Sequence, residues 1–322
     1  MAGKKAQDIL RVDNLSVKLA GKLILNGINT NVREGEILGI VGVSGAGKTT
    51  LLNAIIGYYP TISGSVSYYL PRMQKFVFSR DFTNNFKSLF GFSAQNPSFY
   101  PELTVLENLE YFASLYDVPE NVKKYNIKKA LKLVNLENHA SVPAKVLSGG
   151  MKKRLDIACA IAHGPQILVL DEPTSDMDPP LRLQIWGLIE MINGMGTTII
   201  LASHFLSEIE HMCDRIIFLH NKEVKFSGSV ENFRNLYSKT KEISVTTKDG
   251  KYDVILEKLV DIQSIRITHI NRKKGHIVFH SNEEINSLKS AIVKSIGRAE
   301  NISKIEIRNP SMDMLFKLFV EK

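Results

Sequence analysis

Gly42-Val43-Ser44-Gly45-Ala46-Gly47-Lys48-Thr49 lies between the apolar run Glu36-Ile37-Leu38-Gly39-Ile40-Val41 and Thr50-Leu51-Leu52-Asn53-Ala54-Ile55-Ile56. The octet fits the pattern G-x-x-x-x-G-K-[ST]. Residues 36–41 read as a buried strand and residues 49–56 as the start of a helix. Strand, glycine loop and helix N-terminus together make an anion site, because glycines let successive backbone N–H groups turn inward and the helix end adds positive potential. The pattern predicts that Gly42, Val43, Ser44, Gly45, Ala46, Gly47, Lys48, Thr49 and Thr50 cradle phosphates. Lys48 then reaches the β- and γ-phosphates, and the Thr49 hydroxyl holds Mg²⁺.

A second run, Ile167-Leu168-Val169-Leu170, ends in Asp171-Glu172. Four consecutive apolar residues predict a parallel strand buried on both faces, with the carboxylate emerging at its C-terminal end, the edge where ligands sit in such sheets. Asp171 is therefore read as a Mg²⁺ partner, directly or through water. Glu172 is read as the residue that orients the attacking water or accepts its proton, since phosphoryl transfer needs positioning more than covalent chemistry. The run Thr198-Ile199-Ile200-Leu201-Ala202-Ser203 brings His204 to the same edge. His211 and His220 lack this placement and read as structural.

Further segments follow in a fixed order: Gln95 within Phe92-Ser93-Ala94-Gln95-Asn96-Pro97, then Leu147-Ser148-Gly149-Gly150-Met151, and Ser175-Asp176-Met177-Asp178 close behind Glu172. With the phosphate loop, the Asp171-Glu172 pair and His204, they resemble the Q-loop, signature, D-loop and other motifs of the nucleotide-binding subunits of ABC transporters. The resemblance covers roughly residues 8 to 230. It implies an α/β fold: a P-loop ABC ATPase core with antiparallel β and helical subdomains. It also implies that ATP and Mg²⁺ are bound, with Gln95 a further Mg²⁺ contact and His204 touching the γ-phosphate while bracing Glu172. Ser148, Gly149 and Gly150 would meet the γ-phosphate held by an opposite subunit, and Asp178 would cross the dimer seam. Catalysis is thus assigned to Glu172, His204 and Gln95. One phosphate loop and one signature in 322 residues imply a homodimer or a paired ABC ATPase subunit.

The chain departs from the family pattern in three places. Met151 stands where Gln is commonest, and Asp176 where Gly is common. Leu15-Ser16-Val17-Lys18-Leu19-Ala20-Gly21 lacks the aromatic ring that stacks on adenine, leaving Leu19 to supply apolar contact and suggesting weaker base selectivity.

Ser63 to Tyr69 reads as a strand, followed by a polar, aromatic-rich stretch to Asn85. Residues 103–147 read as mainly helical, interrupted by Pro119 and Pro143, where the family carries a helical subdomain. Phe99, Tyr100, Leu103 and Tyr111 either line its groove for the membrane subunit or fill its core. The cassette is assigned to residues 1–229 and a small C-terminal α+β module to residues 230–322. In the latter, strands at 242–247, 264–270, 276–280 and 302–308 and helices at 252–260 and 281–296 give the order βαββαβ, which is ferredoxin-like. A last helix carries Met312, Leu315, Phe316 and Phe319 on one face. Pro310-Ser311-Met312-Asp313-Met314-Leu315-Phe316 resembles the closing motif of ATPase subunits paired with ABC-2-type export permeases, which implies an exporter.

Hydrophobic residues make up 44% of the chain, enough for a packed core, and the net charge is +8. The dense basic cluster Arg272-Lys273-Lys274 admits two readings, a solvated hairpin turn or attraction to anionic headgroups. No aromatic platform or motif speaks for nucleic acid. No apolar run approaches the roughly 18 to 20 residues of a membrane-spanning helix, and the first ten residues do not resemble a secretory signal. Cys159 and Cys213 read as buried thiols. Together these predict a cytoplasmic protein, and the resemblance implies that it sits peripherally on the inner face of the cell membrane, held there by an integral-membrane permease. The competing class is a permease-free ABC ATPase acting in cofactor assembly or regulation.

Overall fold

The computed structural model describes residues 7–70, 73–79, 86–237, 240–247, 265–271, 276–281 and 302–320. They divide into two compact units, Met1–Val230 and Glu231–Lys322.

In the first unit, β1 (Asp8–Leu19) and β2 (Lys22–Arg33) form an antiparallel pair, followed by β3 (Ile37–Val41) and α1 (Lys48–Ile55). The strands β4 (Ser63–Leu70) and β5 (Lys75–Phe78) complete a four-stranded sheet of order β2-β1-β4-β5. After β6 (Phe90–Ser93), the helices α2 (Val105–Ser114) and α3 (Glu120–Leu133) form the helical region, and α4 (Gly149–Ile161) returns to the core. Thr104 opens α2 through a capping box with Glu107, and Pro119 stands at the start of α3, so the proline predicted to interrupt the helical run marks a helix boundary. The remaining elements are β7 (Ile167–Asp171), α5 (Pro179–Gly194), β8 (Thr198–Ser203), α6 (Leu206–Met212), β9 (Arg215–His220) and β10 (Glu223–Ser229). They build a six-stranded sheet of order β10-β9-β3-β8-β7-β6, parallel except for the edge strand β10.

α1 lies between the two sheets. Its Leu51, Leu52, Ala54 and Ile55 join Leu10, Leu15 and Tyr68 of the antiparallel sheet and Leu38, Ile200 and Ile217 of the parallel one in a single buried cluster. Burying side chains of this size stabilises by roughly 1.5–3 kcal/mol each, so the helix that follows the phosphate loop is locked on both faces. β3, β7 and β8 are buried at every position, which accounts for their unbroken apolar runs.

Buried polar groups tie the helical region to this core. His163 stacks on Tyr116 with ring centroids 3.7 Å apart, and its Nε2 lies 3.0 Å from the Phe90 carbonyl oxygen. Burial pushes the His163 imidazole down to about 4, against a small upward pull from that hydrogen bond. Between about pH 4 and 6.5 the unfolded chain then binds a proton that the folded one does not, so stability rises with pH across this window and is lost on acidification. The expected loss is on the order of 3 kcal/mol, read as a falling urea midpoint from pH 6.5 to pH 4. His163→Gln should lower the midpoint at neutral pH yet remove this part of the slope; an unchanged slope would separate His163 from it.

In the second unit, α7 (Val230–Asn235) precedes β11 (Lys241–Thr247), β12 (Ile265–Asn271), β13 (His276–Ser281), β14 (Ile302–Arg308) and α8 (Met312–Val320). The sheet order is β12-β13-β11-β14 with every neighbour antiparallel, so the first strand is central and the second sits at an edge. The helix read at 252–260, the Arg272-Lys273-Lys274 turn and the stretch from residue 80 to 85 lie outside the described residues, as does the helix read at 281–296 except for Ser281, which ends β13. On α8 the buried seam is Met312, Leu315 and Leu318, with Phe316 and Phe319 half-buried. Phe319 packs edge-on to Phe233 of α7 at 5.6 Å.

Candidate functional site: a phosphate-loop cleft

Three neighbouring parallel strands deliver the predicted residues to one edge. Val41 of β3 pairs in register with Ser203 of β8, and Ala202 of β8 with Asp171 of β7. The residues that follow, Gly42, Glu172 and His204, therefore leave the sheet side by side.

The loop after β3 folds as its glycines require. Gly47 has φ 102°, and a Cβ there would meet Leu25 Cδ2 at 2.9 Å; a Cβ on Gly42 would meet the Leu219 carbonyl oxygen at 2.5 Å. Gly47 caps α1 without a side chain, and the first turn carries no acidic residue, so its free N–H groups face an anion unopposed. Ser44, Gly45, Ala46, Gly47, Lys48, Thr49 and Thr50 line a cleft of about 650 Å³ together with Ile24, Gln95, Glu172 and His204. Gly42 and Val43 are absent from its wall: Gly42 packs beneath the loop and Val43 is exposed. Ile24 occupies the apolar position of the cleft, whereas Leu19 packs against the core cluster. Ile24 packs against that cluster too, so what separates the two is that Ile24 lies on the cleft wall and Leu19 does not.

The charges in the cleft are paired. Lys48 Nζ donates to the Gly42 carbonyl at 3.0 Å and lies 3.5 Å from Glu172 Oε1. The other carboxylate oxygen, Oε2, is 2.7 Å from His204 Nδ1 and accepts from the His204 backbone N–H at 3.3 Å. Glu172 is thereby gripped from two sides. It also has φ 49°, a left-handed conformation that costs about 1–2 kcal/mol in a side chain of this size, held by a bond from its N–H to the Ala202 carbonyl. A strained acid at a strand end is a common mark of a functional position.

Asp171 is 3% exposed, and its Oδ1 has no hydrogen-bond partner. Burial raises its carboxyl above the ordinary value; the Glu172 charge adds to this, while the Thr49 hydroxyl bond and the charges of Lys48 and Lys153 pull it down. Asp171 is not on the cleft wall but is bonded to Thr49, which is, as is Gln95; an orphaned buried carboxylate oxygen, the Thr49 hydroxyl and the Gln95 amide oxygen are donors of the kind that fit a hard divalent cation such as Mg²⁺.

The signature triplet sits elsewhere. Ser148 caps α4, its hydroxyl accepting from the Met151 N–H at 3.3 Å, and Ser148 and Gly149 are exposed. None of Ser148, Gly149 or Gly150 belongs to the cleft wall. Asp178, also exposed, caps α5 by accepting from the Leu181 N–H at 3.1 Å. Asp176 has φ 59°, the left-handed turn for which glycine is the easier residue and which Asp tolerates better than most. Near the Q-loop, Phe99 is buried, Leu103 half-buried, and Tyr100 and Tyr111 are exposed, with their hydroxyls 3.1 Å apart.

A group that the motifs did not reveal is bonded to the segment that carries Gln95. On α4, Lys153 and Asp156 are both buried and point into the segment that carries Gln95. Their spacing of three reads in sequence as an ordinary surface pair on a helix; their burial follows from the packing of α4 against β6, which the linear pattern does not encode. Cys159 and Cys213 are free and buried, and burial raises both thiols, as befits inert positions.

A family model described as ABC transporter matches residues 25–175. The linearmycin resistance ATP-binding protein LnrL of Bacillus subtilis is 27% identical over 310 residues, 96% of this chain and 97% of that protein. An uncharacterized ABC transporter ATP-binding protein of the same organism, YdbJ, is 36% identical over 230 residues, covering 70% and 71%. Nod factor export ATP-binding protein I of Burkholderia lata is 34% identical over 203 residues, covering 63% and 65%. Among solved structures, the dimeric post-hydrolysis form of the ATP-binding cassette MJ0796 with ADP and Pi superposes with a TM-score of 0.59 at 28% identity, over 69% of this chain and 99% of that one.

Proposed function

The chain belongs to the ABC transporter ATP-binding family and is an ATPase, and on that premise we propose that it closes as a dimer on two MgATP to drive a separate membrane-spanning permease. One observation carries the dimer: Ser148 and Gly149 stand exposed at the N-terminus of α4, an anion-ready helix end that takes no part in the chain's own cleft. Such an end finds a phosphate when a second subunit supplies one. The partner is a second copy or a related ATPase subunit.

Within each cleft, Lys48 and the N–H groups of residues 44–50 hold the triphosphate. Thr49, Asp171 and Gln95 would hold Mg²⁺, which would supply neutralisation of the charge developing on the phosphates. Glu172 orients the attacking water and accepts its proton, and His204 fixes the Glu172 carboxylate through the 2.7 Å contact and faces the γ-phosphate. Asp178 meets the opposite subunit across the seam.

Export is the direction we propose, supported by the closing motif at residues 310–316 and by a relative named for Nod factor export. Among the described residues no helix is long and apolar enough to cross a membrane, so membrane contact is assigned to the permease and the chain to the cytoplasmic face. Affinity capture of the tagged protein from detergent-solubilised host membranes, with mass spectrometry of the recovered proteins, tests this reading. A multi-span protein recovered with the chain is the expected result; soluble partners alone would replace it with a permease-free ABC ATPase.

A further inference from the structure

The buried pair on α4 makes a continuous polar network with the loop that carries Gln95. Lys153 Nζ donates to Ser93 Oγ and to the Ala94 carbonyl oxygen, each at 3.0 Å, and lies 3.5 Å from Asp156 Oδ2. Ser93 Oγ donates to the same Asp156 Oδ2 at 2.5 Å. The other carboxylate oxygen, Oδ1, accepts from the Ser98 N–H at 3.0 Å and from the Ser98 hydroxyl at 3.3 Å. Lys153 is 5% and Asp156 1% exposed.

Burying an ion pair is costly, and stability alone does not call for it, since apolar residues of similar volume fill such a space as well or better. What an ion pair supplies and a leucine does not is directed bonds to polar groups around it. Among the described residues, every hydrogen bond of the two side chains that leaves α4 ends on Ser93, Ala94 or Ser98, on both sides of exposed Gln95. The helix on which they sit begins at Ser148-Gly149-Gly150, one turn before Lys153. The Lys153 charge also pulls the Asp171 carboxyl down, the last of several influences on it.

We propose that Lys153 and Asp156 are positioning residues: they clamp the 93–98 loop to α4, so that the seating of the signature end on a nucleotide and the placement of Gln95 at the metal move together. This rests on the reading of the cleft as an MgATP site and assigns its coupling to two residues that touch neither nucleotide nor metal.

Lys153→Met/Asp156→Leu in the full-length chain removes both charges while keeping the volume filled. Its thermal midpoint should stay within a few degrees of wild type, because neither charge is left buried alone. Amide hydrogen exchange across residues 93–98, read by mass spectrometry without nucleotide, should quicken by about tenfold or more. Turnover should fall by about tenfold or more and the half-saturating Mg²⁺ concentration rise, while affinity for a fluorescent ATP analogue in EDTA stays within about threefold. Lys153→Arg, which keeps the charge and the donors, should recover most of the turnover. Should the double variant fail to fold, Ser93→Ala removes a single hydroxyl from the network and carries the same readouts at smaller amplitude. Wild-type exchange and wild-type turnover in whichever of these variants folds would overturn the clamp. A wild-type protein that fails to hydrolyse MgATP would overturn the reading of the cleft, while the exchange measurement would still decide the clamp.

Discussion

Glu172→Gln is expected to cut steady-state phosphate release by about 10²- to 10⁴-fold, the range contributed by a positioned general base, while ATP affinity holds or tightens. The carboxylate is fixed by its contacts: Oε2 2.7 Å from His204 Nδ1, Oε1 3.5 Å from Lys48 Nζ, on a backbone held in the left-handed region. The amide has the same shape and keeps one oxygen for the histidine, but it cannot take up a proton from water. It also removes a negative charge from a cleft built for phosphates, so binding gains rather than loses. If closure brings two chains onto two nucleotides, the variant should therefore accumulate as an ATP-bound dimer. Light scattering coupled to size exclusion should register about twice the monomer mass with ATP and Mg²⁺ and monomer mass with ADP. Normal turnover in this variant would remove Glu172 from the role proposed for it.

The parallel half of the fold was legible because its strands are buried on both faces. Ile37–Val41, Ile167–Asp171 and Thr198–Ser203 lie within the apolar runs read from the sequence, and their C-terminal ends coincide with Gly42, Glu172 and His204. The antiparallel strands β1 and β2 were less legible as individual elements. Their register shifts between Val12 and Leu15 and again beyond, and Asn14 takes φ 46°, so the two-residue alternation loses its phase in mid-strand. On α8 the helical spacing was right: Met312 and Leu315 are buried, Phe316 and Phe319 are half-buried with Phe319 packed on Phe233, and the buried seam also takes in Leu318.

The same contrast separates the site residues. Phosphate loop, Asp171, Glu172 and His204 sit at strand ends or helix starts, where local pattern and proposed role coincide. Lys153 and Asp156 sit inside a helix, and nothing in their spacing distinguishes a solvated pair from a buried one. The difference lies in what α4 packs against, namely β6 and the loop that follows it. Ile24 is a similar case, since it lies in β2 just past the turn from β1 and nothing in its distance from the lysine marks it as the residue on the cleft wall.

Lys48→Ala should fail at an earlier step than Glu172→Gln, and the contrast between the two separates binding from chemistry. Lys48 is 8% exposed, and its Nζ is bonded to the Gly42 carbonyl beside the Glu172 carboxylate, so the cation is already desolvated and oriented before any ligand arrives. A preorganised ammonium against a phosphate makes a charge-assisted bond, of the class whose loss costs about 1.5–3 kcal/mol. The dissociation constant for ATP should accordingly rise by about 10- to 150-fold. Alanine leaves a second deficit. Glu172 loses the cation beside Oε1, and its charge then stands less compensated against the incoming γ-phosphate. Turnover at saturating nucleotide should therefore fall as well, and the ATP-dependent dimer should not accumulate. A fluorescent ATP analogue titrated against wild type, Lys48→Ala and Lys48→Ala/Glu172→Gln distinguishes the two deficits. If repulsion from Glu172 contributes, the double variant should regain part of the lost affinity without regaining turnover. If only the lost phosphate contact matters, it should bind as weakly as Lys48→Ala alone. Wild-type affinity in Lys48→Ala would remove the lysine, and with it the triphosphate, from the place that the strand, loop and helix assign to them.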